Sequence, residues 1–123
     1  MNNSTNVQLQ SVNDKAYDVF RCADLITYSN DMTWIEYIAV IGSRVTKFCF
    51  DPIDLTIVDG KPWRQMDDGY IGYDEVVDGE KVRHYLHKMV ADNYKHTTGE
   101  KLPVKHRGVI TDNTLDNLII GKN

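Results

Sequence analysis

Asp78-Gly79 is the feature that most narrows the folds open to this chain. It separates two β-prone runs, residues 70–77 and 81–86. Both central residues of a type I′ turn need positive φ, which Gly and Asp tolerate, so the pair predicts a tight antiparallel hairpin. The same reasoning extends upstream. Thr33–Ile41 is aromatic and β-branched and reads as a strand, with helix its close competitor. Gly42-Ser43 turns the chain, Arg44–Phe50 alternates as the second strand, and Asp51-Pro52 ends it. Leu55–Val58 reads as a short strand stopped by Asp59-Gly60. Leu86–Tyr94 reads as a short helix with Leu86, Met89, Val90 and Tyr94 on one face. A longer helix is expected near 15–28, capped by Asn13 or Asp14. Ala16, Val19, Phe20, Ala23 and Ile26 or Thr27 would face the core.

These elements give an α+β fold of antiparallel β-hairpins and a few short helices. Residues 1–13 form a polar arm, or an edge strand through Val7 and Leu9. Residues 14–123 form a single domain, with 123 residues enough for one modest core. Trp34, Trp63, Tyr70 and Tyr73 are expected as core or interface aromatics.

No apolar run approaches the ~20 residues that span a bilayer, and the first ten residues lack the basic and apolar regions of a secretory signal, so a cytoplasmic protein is expected. Cys22 and Cys49 are too few for a disulfide framework and sit among apolar neighbours as buried free thiols. No Cys/His set has zinc spacing.

The net charge of −4 is unusual for a protein that binds DNA alone, because phosphate neutralisation needs a basic surface. The charge is uneven, however. Residues 14–60 are acidic, and Asp51, Asp54 and Asp59 there could dock a basic partner protein. Residues 61–123 balance, and within 80–108 seven basic residues face three acidic ones. Lys81, Arg83, Lys88, Lys95, Lys101, Lys105 and Arg107 are therefore candidate phosphate contacts.

Residues 102–123 read as two short strands, 103–106 and 117–120, around a polar loop. His106 ends the first strand and is the candidate general base. Asn117 opens the second, where its amide can orient the loop or the imidazole ring. Asp112 and Asn113 in the loop offer oxygen atoms to a magnesium ion, although such a pair is more often simply a turn.

The order and spacing of several motifs carry a resemblance. They are Asp68-Gly69-Tyr70, Asp78-Gly79, Leu86-His87-Lys88-Met89-Val90-Ala91 with Tyr94, Val104-Lys105-His106, Asp112-Asn113 and Asp116-Asn117-Leu118. Together they resemble phage and intron HNH homing-type endonucleases, over about half the chain from Gly60 onward. Tyr37, Val40 and Gly42-Ser43-Arg44-Val45 look like a module that often precedes such nucleases. The resemblance implies a degenerate ββα-metal module in residues 61–123. His106 would be the base, Asn117 would steady the loop, and Mg2+ would be the cofactor if the module is active.

The departures are chemical. Lys105 stands where the family has an Asp or Asn metal ligand, and a cation does not ligate a divalent ion. The 106–117 loop is one residue short and lacks the family's Asp-Gly turn. The helix carrying a further ligand would lie beyond Asn123. The expectation is a small phage-encoded protein derived from this family, with nuclease activity lost. It would act in the bacterial cytoplasm by binding nucleic acid or a host nucleic-acid-handling protein, for example as an inhibitor of a nuclease, polymerase or CRISPR effector. The alternative is an active Mg-dependent DNA-nicking enzyme.

Overall fold

A computed structural model describes residues 2–10, 12, 19–28, 31–94 and 103–121. In chain order the elements are β1 (Asn2–Val7), β2 (Val19–Tyr28), β3 (Thr33–Ile41), β4 (Arg44–Phe50), α1 (Leu55–Val58), β5 (Arg64–Gln65), β6 (Ile71–Val77), β7 (Glu80–Tyr85), α2 (Leu86–Tyr94), β8 (Val104–His106), β9 (Asp112–Asn113) and β10 (Leu118–Ile120). The fold is α+β, with mostly antiparallel strands and two short helices. Strands β1-β2-β3-β4-β9 form one sheet, β5-β6-β7 a second and β8-β10 a third pair. No helix among the described residues is long and apolar enough to cross a membrane.

The hairpins stand where turn chemistry puts them. Asp78 and Gly79 have φ of 51° and 81°, and β6 pairs antiparallel with β7 across them. Gly42, at φ 61°, turns β3 into β4.

The helix expected near 15–28 is corrected. Residues 13–18 lie outside the described residues, and Val19–Tyr28 is a strand. Its apolar spacing fitted a helix, but β2 pairs with β3 over Val19–Thr27 and with β1 over Ala23–Tyr28, and those ladders decide the matter. Strand alternation then sends Phe20 to solvent at 60% exposure and buries Ala23 beside Tyr37.

The strand expected at Leu55–Val58 is also corrected, to helix. Pro52 opens a 3-10 turn (Pro52–Asp54), in which Asp54 N donates to Asp51 O, and the turn runs directly into α1. Helical winding faces Val58 to the core.

One core cluster joins both halves of the chain. Tyr37, Phe48 and Phe50 from the five-stranded sheet meet Val58, Ile71, Tyr73, Leu86, Val90 and Leu118, with Trp63 fully buried among them. Trp63 meets Tyr73 edge-on at 4.8 Å between centroids, and its Nε1 donates to Val58 O at 2.7 Å.

Candidate functional site

Strand β8 places His106. It pairs antiparallel with β10, setting His106 opposite buried Leu118 and leaving Lys105 exposed. The intervening loop is tied at both ends. Arg107 N donates to Asn117 O at 2.8 Å. The Asn117 side chain donates to Val109 O and Asp112 O at 2.9 and 2.8 Å, and accepts from Gly108 N at 3.1 Å. Asn117 therefore ties the backbone of the loop together. Replacing it with Ala leaves three backbone groups without their partner and should lower stability by about 2 kcal/mol. Urea denaturation measures this, and Gly108 should lose hydrogen-exchange protection.

The imidazole is held by a different amide. Strand β9 pairs parallel with β4, docking the loop on the large sheet and burying Asn113 to 1% exposure. Asn113 Oδ1 lies 2.9 Å from His106 Nε2. As Oδ1 only accepts, Nε2 carries the proton, and the lone pair of neutral His106 sits on Nδ1. That Nδ1 is buried without a hydrogen-bond partner. Any base chemistry at His106 therefore belongs to Nδ1.

Two further rings meet His106, and a third joins them. Tyr70 stacks at 5.7 Å between centroids and His87 lies at 4.9 Å. Tyr85 closes the group, 6.0 Å from Tyr70 and 5.7 Å from His87. His87 is 4% exposed and its Nδ1 also lacks a partner. Burial, then the nearby His106, pushes its pKa down to about 4, so it is neutral at pH 7. Asp68 accepts from the Tyr85 hydroxyl and from Tyr70 N, and the Tyr85 hydrogen bond leads in holding its carboxyl below the usual range.

One side-chain oxygen of each residue offered to magnesium accepts hydrogen bonds within the fold. Asp112 Oδ1 accepts from Thr114 N at 3.1 Å and Thr114 Oγ1 at 2.7 Å, forming an Asx turn, and Asn113 Oδ1 holds His106. No three His, Cys, Asp or Glu groups converge as ligands among the described residues.

The basic candidates divide. Lys95 and Lys101 lie outside the described residues. Lys105 and Arg107 are exposed at the end of β8. Lys81 and Arg83 stand on one face of β7 around Asp74. Arg83 binds it through Nε at 2.9 Å and Nη2 at 3.2 Å, and Lys81 Nζ is 3.8 Å away. Arg64, which sequence reasoning did not single out, joins them at 3.1 Å. The hydrogen bond from Arg83 leads in holding Asp74 below the ordinary carboxylate range. Lys88 Nζ lies 5.1 Å over the Tyr85 ring. Register explains the grouping: Arg64 pairs with Gly72, Gly72 with Tyr85, and Asp74 with Arg83, so these side chains share a face. Through Tyr85 this basic face is continuous with the ring cluster around His106.

Sequence reasoning counted His87 only within the helix motif and Tyr70 among core or interface aromatics, and missed their convergence on His106. Only the motif order hinted at it. Comparison with protein-family models, with characterised proteins and with solved structures finds no match to this chain.

Proposed function

We propose that this chain binds nucleic acid through the face made by Arg64, Lys81, Arg83, Tyr85 and Lys88, using a degenerate HNH-like module that no longer cuts. The observation that carries the reading is three cations, Arg64, Lys81 and Arg83, gathered around one carboxylate, Asp74, with a fourth, Lys88, over the Tyr85 ring at the edge of the aromatic cluster. Cations of this kind meet phosphates, and rings offer stacking surfaces. Lys105 next to His106, and the engagement of Asp112 and Asn113, support loss of cleavage. Such a protein would work in the cytoplasm of a bacterial host.

A protein partner on the acidic half is the weaker reading. Asp54 is 2% exposed, Asp51 Oδ2 accepts from Leu115 N at 2.7 Å, and Asp59 Oδ1 accepts from Gln10 N at 2.8 Å. Asp51 and Asp59 tie backbone groups and Asp54 is buried, so the three do not form an open docking surface. The partnerless Nδ1 of His106 is the one feature favouring the alternative, an active magnesium-dependent nicking enzyme.

Fluorescence anisotropy with labelled oligonucleotides tests the proposal. If four cations displace counterions from a duplex, affinity should fall roughly a hundredfold between 50 and 200 mM salt. Lys81→Glu and Lys88→Glu should weaken binding to all sequences alike. Absence of binding to single- or double-stranded probes at low salt would exclude this reading.

A further inference from the structure

We propose that the cleft between the β3–β4 turn and the β5–β6 pair binds a nucleotide by its phosphate, either free or as part of a bound strand. The inference rests on the nucleic-acid reading of the adjoining basic face and extends it. The cleft measures about 690 Å3 and is lined by Ser43, Arg44, Pro62, Arg64, Tyr73 and Asp74, among others. That lies within the roughly 300–1,000 Å3 of small-molecule sites, and it is far more than a single acidic side chain of a peptide would fill.

Its cations are available. Arg44 is exposed and has no ion pair among the described residues. Arg64 uses Nη2 on Asp74 and Nε on Met66 Sδ, while its side chain remains 42% exposed. Two guanidinium groups at one opening match the forked geometry that phosphate oxygens accept. Arg83 occupies both oxygens of Asp74, so the one carboxylate lining the cleft among the described residues is already neutralised and repels an anion little. The turn presents little bulk, since even a methyl group added at Gly42 would meet nothing within 4 Å. Pro62 and Tyr73 supply apolar wall for a base or sugar. The cleft also adjoins the proposed strand-binding face, because Asp74 lines the first and anchors Arg83 and Lys81 on the second.

The test uses the whole chain and three probes: AMP, inorganic phosphate, and a dT12 strand with or without a 5′-phosphate. Backbone amide spectra should show saturable shifts at Gly42, Ser43, Arg44 and Arg64 with AMP. Arg44→Glu should weaken AMP binding about tenfold, from one lost charge-assisted contact and added repulsion, and should weaken dT12 binding as well. Ser43→Glu should act in the same direction. Lys88→Glu should weaken dT12 binding and leave AMP untouched. Arg44 and Ser43 lie exposed at a turn, and unchanged amide dispersion elsewhere verifies that the variants fold. If dT12 binds while AMP shifts none of these amides and neither cleft variant alters dT12 affinity, the cleft assignment is overturned and the basic face stands. If AMP binds in the cleft but no strand binds at any salt, the reading of the face is overturned and the cleft stands as a free-nucleotide site. Inorganic phosphate binding as tightly as AMP would overturn the nucleotide assignment. Equal losses with phosphorylated and unphosphorylated dT12 identify an internal phosphate, and a loss confined to the phosphorylated strand identifies a terminal one.

Discussion

Lowering the pH from 6.5 to 4 should remove about 3 kcal/mol of folding stability through His87 alone. The ring is 4% exposed, packed against Tyr70, Tyr85 and His106, with Lys88 and Asp68 nearby. Burial is the leading cause of the depression to about 4 from 6.5. In that window the unfolded chain takes up a proton on His87 that the folded chain refuses. The stabilisation is therefore complete above pH 6.5, declines as pH falls, and is gone below 4. Asp51 and Asp54 act in the opposite sense, since burial raises their pKa and favours the protonated folded form as pH falls. The difference between wild type and His87→Phe isolates the histidine. Urea midpoints measured from pH 7.5 to 4 should fall less steeply in the variant, by the His87 contribution. Parallel curves would mean that His87 is solvated and that the ring cluster is not closed around it.

Trp63→Ala should cost about 3–5 kcal/mol, the usual range for deleting a buried aromatic side chain. Trp63 is fully buried and bridges the two larger sheets, touching Phe48 at 6.3 Å and Tyr73 at 4.8 Å between centroids. Its loss also leaves Val58 O at the end of α1 without its indole donor. Set against a total stability of about 5–15 kcal/mol for a single domain, the variant should be marginally folded. Trp63→Phe keeps much of the apolar volume and loses the N–H, so it should cost less. Chemical denaturation separates the two. A cost below 1 kcal/mol for Trp63→Ala would place the centre of the core elsewhere.

Features set by local chemistry were legible from the sequence. Asp78-Gly79 specified its hairpin because positive φ is a property of those two residues. Leu86–Tyr94 announced its helix by spacing, and the pairing of β8 with β10 followed from two apolar runs around a polar loop. Features set by partners were not. The stretch from Phe20 to Ile26 satisfies helical spacing, and only the ladders to β1 and β3 make it a strand. Leu55–Val58 is too short for its pattern to separate helix from strand, and Pro52 upstream settled it.

The site follows the same division. His106 and Asn117 could be named from motif order. The grip of Asn113 on His106 depends on β9 docking against β4, residues some sixty positions away in the chain. Arg64 joins Arg83 only through the register of three strands. Nothing in the sequence between them reveals that register.

One gel tests the central claim, that this chain binds nucleic acid without cutting it. Supercoiled plasmid is incubated at low salt with purified protein and magnesium or manganese, and run before and after protease treatment. Retarded plasmid that returns to the supercoiled position after proteolysis is expected for the wild type and for Lys105→Asp alike. Repairing one position does not free Asp112 and Asn113 from their present partners. Magnesium-dependent conversion to open circles by the wild type, abolished by His106→Ala, would contradict the loss of cleavage, and absence of any retardation would contradict binding.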